Sequence, residues 1–193
     1  LILSNDMEFP ANLHPWSVVA KKRGARIKTI RSRVGRVSLE MVEEAVNRQV
    51  KVIAISAVQY ENGFQADLEE IGRLCEHHGI YFVVDAIQAC GVLPIDVEKC
   101  KIHFLATGGH KWLLSVGGCG FLYVNQGIMD GLSPFNVGWL GQKEPMEFSR
   151  DKDLAKGARK YEEGTPSMVG IHGLHSSMEL IKLPVLPDMP AVP

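Results

Sequence analysis

Two residues that can do chemistry close neighbouring apolar segments. Asp85 directly follows "YFVV", and Lys111 lies four residues beyond Thr107, the last residue of "IHFLAT". Gln88 follows the acid by three positions, and His110 immediately precedes the lysine. A carboxylate and an amine placed this way can form a plain ion pair. They can also hold a ligand, with the neutral amine attacking a carbonyl carbon and the carboxylate facing a cationic group. The surrounding "TGGHK" suits a ligand: Gly108 and Gly109 let the backbone approach it closely, and Thr107 and His110 offer donors to a phosphate.

A lysine, a phosphate cradle and a carboxylate together suggest pyridoxal 5′-phosphate. That cofactor links covalently to a lysine and pairs its pyridine nitrogen with an acid. In this reading Asp85 keeps the ring nitrogen protonated, and the Gln88 amide turns back to donate to the ring oxygen. The plain ion pair remains the alternative that spacing alone allows.

These residues need a scaffold that brings strand ends to one edge. "LILS", "ARIKTIR", "VKVIAISAV", "IYFVV", "IHFLAT" and "CGFLYV" read as strands. Between them lie helical stretches: "NLHPWSVVAKKRG"; "LEMVEEAVNRQ", capped by Ser38, with Leu39, Val42, Ala45 and Val46 on one face; and "LEEIGRLCEHHG", started by Asp67 and Glu70 and stopped by Gly79. Strands alternating with amphipathic helices predict an α/β fold with a mostly parallel sheet and helices on both faces. Ligands of such sheets bind beyond the carboxyl ends of the strands. Asp85 and Lys111 share that edge, and so do Gln59 and Tyr60 after "VKVIAIS". Residues 1–125 are expected to form the core of the cofactor domain, 126–183 loops and a helix that complete it or meet a partner, and 184–193 an irregular proline-rich tail.

Composition narrows the classes. A chain of 193 residues with 46% hydrophobic and 22% charged residues is ordinary for a globular protein. A net charge of −1 gives no electrostatic footprint for nucleic acid or an anionic membrane surface. The basic "AKKRGARIKTIRSRVGR" flanks a short apolar strand and reads as a solvated edge. No apolar run approaches the roughly 20 residues of a membrane helix. Cys75, Cys90, Cys100 and Cys119 form no Cys-x-x-Cys pair, so free thiols and a cytoplasmic location are expected. Cys100, His103 and His110 match no usual zinc spacing, and no metal is expected. Cys90 is read as a small buried side chain, and Trp112 as packing. Leu1 begins what reads as a strand already under way, so the chain is expected to be a portion of a longer protein.

Several motifs in one order resemble the class V aminotransferase family, which includes cysteine desulfurases and related lyases. Asp85, Gln88, His110 and Lys111 match its acid, glutamine and histidine–lysine pattern. "GGCGFLYV" matches its glycine-rich return into a strand, "MEFPANLHPW" its asparagine segment, and "YEEGTPSMVGIHGL" its Gly-Thr segment. The resemblance spans about residues 1–182. It implies the fold type I architecture of pyridoxal-phosphate enzymes, an amino-acid substrate and a homodimer. It also implies that Asn12 sits near the ring or the substrate carboxylate, and that Thr165 reaches the phosphate of a neighbouring subunit. Aminotransferase chemistry leads, with a cysteine desulfurase, selenocysteine lyase or epimerase as alternatives; an inactive, truncated domain is the reading from another class. Gly108 stands where many relatives carry a serine, which leaves Thr107 to supply a hydroxyl. The ring-stacking aromatic residue, the substrate-binding arginine and the small domain are expected outside this chain.

Overall fold

A computed structural model describes residues 1–148, 150 and 153–182. The tail expected at 184–193 lies outside the described residues. Six strands form one sheet: β1 (Ile2–Asn5), β2 (Ile27–Ile30), β3 (Val52–Ser56), β4 (Tyr81–Asp85), β5 (Phe104–Gly108) and β6 (Gly120–Val124). Their spatial order is β2-β1-β3-β4-β5-β6. The first five run parallel and β6 runs antiparallel to β5. A parallel return needs a crossover of a dozen or more residues, usually a helix. The segment between β5 and β6 is shorter and holds no helix, so the chain turns straight back.

Helices α1 (Pro10–Arg23), α2 (Leu39–Ala45) and α3 (Leu68–His78) connect the parallel strands. Pro10 opens α1, where a missing N–H costs nothing. Gly24 closes it in the left-handed region at φ 66°. In α3 the Asp67 side chain accepts the Glu70 N–H at 3.0 Å, as the sequence predicts. Glu70 does not return the bond; its carboxylate pairs with Arg73 instead. Helix α2 is shorter than its apolar pattern suggests, because Val46 turns to extended backbone (φ −72°, ψ 138°). Ser38 makes no capping bond there. Its hydroxyl bonds the exposed Glu40, holding that carboxyl below its ordinary range. Beyond β6 follow α4 (Gln126–Met129), three short 3-10 turns and α5 (Met168–Lys182).

The two faces of the sheet differ. Register places Leu3, Ile53 and Phe82 side by side across β1, β3 and β4. Ile55, Val84 and Leu105 form the next row on that face. All six are buried, and Val42 of α2 and Ile71 and Cys75 of α3 join them in the core. Burying side chains of this size contributes about 1.5–3 kcal/mol each. The opposite face is more open. There Trp16 of α1, Tyr81, Val83, Phe104 and Leu122 line an apolar hollow of about 380 Å³. Ser56, Asp85 and Ala106 end the rows of this face, because register pairs them in turn. His103 extends the β4–β5 pairing one step: it donates its N–H to the Phe82 carbonyl and accepts the Phe82 N–H on Nδ1, both at 3.0 Å.

Candidate active site

Chain order reverses between β1 and β3, the point where open α/β sheets hold ligands. Asp85 stands beside it, half-buried, with Oδ1 accepting the Ile87 N–H at 3.0 Å. Burial pushes its carboxyl above the ordinary range. The Ile87 N–H opposes this, the negative charge of Glu8 adds to it, and the Lys111 ammonium opposes it more weakly. A cation placed against Asp85 would offset that burial cost.

Lys111 lies in a closed turn. The Gly109 N–H donates to the Cys119 carbonyl at 2.7 Å, and the Gly109 carbonyl accepts the Ser115 N–H at 2.9 Å. The Leu114 N–H then closes onto the Lys111 carbonyl at 2.9 Å. Asp85 and Lys111 sense each other electrostatically yet form no ion pair among the described residues. The lysine Nζ faces the Phe9 ring instead, 5.8 Å from its centroid. The plain ion pair that spacing allowed is therefore not what the fold builds.

Two contacts lock the acid's loop to the lysine's loop. Gln88 Oε1 accepts the Trp112 indole N–H at 3.1 Å. This fixes the amide, leaving its NH2 as the end able to donate to a ligand. Gly91 has φ 104° and packs so closely on the Trp112 carbonyl that a Cβ would overlap it. Trp112, read from sequence as packing, thus also orients Gln88.

The remaining predicted residues fall in four places. His110 is exposed at the tip of the lysine turn. Thr107 is buried on the opposite face of β5 from Asp85. It pairs with Phe121, and its hydroxyl lies 3.4 Å from the Gly108 carbonyl and bonds the Cys90 thiol. The one-residue step along a strand reverses a side chain's face, which takes the Thr107 hydroxyl away from a phosphate on the open side. Asn12 bonds the Glu8 carboxylate through Nδ2 at 2.8 Å. Thr165 is exposed in the segment before α5. Burial raises the Cys90 thiol above its ordinary range; Thr107 opposes this and Asp85 adds to it, so the thiol stays protonated.

Sequence reasoning missed two residues. Glu8 is buried at 7% exposure among polar partners, and Phe9 presents an aromatic face to the lysine. Phe9 stands beside Lys111, an aromatic contact that the sequence did not single out. Gln59 and Tyr60, which the sequence places at the same ligand edge, have partners inside the protein: Gln59 is buried against Glu8, and Tyr60 packs edge-on against Phe9.

An open α/β sheet, an acid and a lysine on adjoining loops, and an aromatic face beside the amine define a cofactor-binding domain. Residues 1–185 match the family described as Aminotransferase class-V, and the chain belongs to that family, whose enzymes depend on pyridoxal phosphate. The chain is 30% identical over 180 residues to the uncharacterized aminotransferase YcbU of Bacillus subtilis (strain 168), covering 93% of this chain and 47% of that protein. It is 33% identical over 182 residues to a probable cysteine desulfurase of Pyrococcus abyssi (strain GE5 / Orsay), covering 94% and 45%. The apo structure of cysteine desulfurase from Thermococcus onnurineus NA1 superposes with a TM-score of 0.84 at 28% identity, covering 94% of this chain and 45% of that one. The chain therefore spans about half the length of the relatives it matches.

The residues present fit the family's cofactor. The donor set supplies a half-buried carboxyl in need of a cationic partner, an amine with no acceptor of its own among the described hydrogen bonds, and an anchored amide. Among the described residues, no helix is long and apolar enough to cross a membrane.

Proposed function

We propose that this chain carries the cofactor-binding half of a pyridoxal-phosphate enzyme acting at the α-carbon of an amino acid, with transamination as its reaction. The observation that carries the proposal is the placement of Asp85 and Lys111 on interlocked loops without an ion pair between them. Bound pyridoxal phosphate supplies an electron sink for negative charge developing at the substrate's α-carbon. Lys111 holds the cofactor covalently and moves the α-proton. Asp85 stays anionic against the ring nitrogen, where the cation reverses the effect of burial on its carboxyl. Gln88 donates its NH2 to the ring oxygen while Trp112 holds its other end. His110 and the glycine turn serve the phosphate, and Thr165 reaches the phosphate of a second subunit. Asn12 stands at the edge of the site. Four free cysteines suit a reducing cytoplasm.

Cysteine desulfurase chemistry is the second reading, favoured by relatives that carry that name. It needs a reactive thiol at the substrate's side chain. Burial raises the thiol of Cys90, the cysteine nearest Asp85 in sequence, above its ordinary range, which works against its being that nucleophile.

Pyridoxal phosphate added to the protein should give a yellow species that borohydride fixes to the Lys111 peptide. Lys111→Ala should remove it. The same adduct surviving in that variant would refute the lysine assignment. Assays with a panel of amino acids, with and without a keto-acid acceptor, then separate transamination from sulfur release.

A further inference from the structure

Glu8 collects more hydrogen bonds than any role in binding a ligand would allow. Its Oε1 accepts the Asn5 Nδ2 at 2.7 Å, the Ser56 N–H at 2.8 Å and the Gln59 Nε2 at 2.9 Å. Its Oε2 accepts the Asn12 Nδ2 at 2.8 Å and the Ser56 hydroxyl at 2.6 Å. A carboxylate offers about four lone-pair sites. Five donors saturate it, so Glu8 has no capacity left for a substrate, a cofactor or a proton in transit. Its partners come from separate elements: Asn5 ends β1, Asn12 lies in α1, Ser56 ends β3, and Gln59 lies in the loop beyond β3. The carboxylate therefore fastens the start of α1 across the point where the sheet's chain order reverses.

Two aromatic residues sit next to this fastening. Phe9 follows Glu8 directly, and Tyr60 follows Gln59. Their rings meet edge-on, 5.2 Å apart at 77°. Phe9 then faces the Lys111 Nζ.

We propose that Glu8 is the positioning residue of this site, holding Phe9, braced by Tyr60, against Lys111 as the face on which a planar cofactor rests. The part concerning a cofactor rests on the pyridoxal-phosphate reading above; the part concerning Phe9 and Lys111 stands without it. Glu8 touches neither the amine nor the acid. It acts through its chain neighbours.

The test uses the full chain and three variants: Glu8→Gln, Phe9→Leu and the double variant. In the cofactor-free protein, the Phe9 ring current shifts the Lys111 ε-methylene protons in NMR spectra, and Phe9→Leu sets the value without it. Glu8→Gln should move that resonance toward the Phe9→Leu value. A wild-type shift in Glu8→Gln, lost only in Phe9→Leu, overturns the proposal. A purely structural role would lower the melting temperature and leave this resonance in place. Affinity for added pyridoxal phosphate should fall about tenfold in Glu8→Gln, the scale of one charge-assisted hydrogen bond. The double variant should bind no more weakly than the worse single variant, because both act through one ring. Additive losses would also overturn the proposal. Should wild type take up no cofactor, the function proposed above falls, while the resonance still decides the role of Glu8. Should Glu8→Gln fail to fold, Ser56→Ala removes one donor and gives the same readings at smaller amplitude.

Discussion

The region up to Val124 builds a buried apolar core around the sheet, whereas the stretch from Gln126 to Lys182 buries few large apolar residues. In the sheet and the segments packed on it, Leu3, Val42, Ile53, Phe82, Val84 and Ile102 are wholly removed from solvent. In the later stretch, Phe135 is 85% exposed and Val169 77%. Polar pins hold that stretch together. Lys160 is buried and donates its ammonium to the carbonyls of Met129 and Leu132, and Arg159 donates to the carbonyls of Gln142 and Lys143. One part makes its own core. The other keeps its shape through a few hydrogen bonds and leaves apolar side chains facing outward.

Substitutions can break this contrast. Phe82→Ala should cost about 3–5 kcal/mol, read from urea unfolding, because the closed face cannot collapse around the gap. Lys160→Met should cost about 1–3 kcal/mol for each carbonyl it strands. That loss should appear as faster proteolysis between Gln126 and Lys182, with hydrogen exchange in β3 and β4 unchanged; equal loosening of both parts would contradict the division. Asp67→Ala should cost about 1 kcal/mol by uncapping α3.

Asp85→Asn should act with the opposite sign. Burial raises the Asp85 carboxyl above its ordinary value of 3.8, so the folded protein holds that proton more tightly than the unfolded chain does. Ionised Asp85 therefore weakens the cofactor-free fold at neutral pH, and the penalty fades as pH falls through the raised value toward 3.8. The variant should melt higher than wild type at pH 7, with the gap closing in acid, and should lose cofactor binding. A lower melting temperature at pH 7 would refute this assignment. Phe135→Ala should change the stability of a monomer by less than about 0.5 kcal/mol. If the exposed patch meets a second subunit, that same substitution should instead shift the dimer–monomer balance in sedimentation.

Much of the scaffold was legible because its signals are local. Apolar runs marked the strands, Asp67 and Gly79 marked the ends of α3, and the acid at the end of β4 and the lysine after β5 pointed to the candidate site. Thr107 shows the limit. Its place in the motif suggested a phosphate contact, but one step of pleat turned its hydroxyl into the buried face.

Nothing in the sequence singles out the role of Glu8. Its donors Ser56 and Gln59 lie 48 and 51 residues away, and nothing local announces that they converge. Residue type and alternation by themselves determined which segments extend, which coil, and which side chains could react, since those depend on neighbours a few positions apart. Only the tertiary structure decided which reactive groups meet, because convergence at the sheet's edge follows from strand order and register between distant segments.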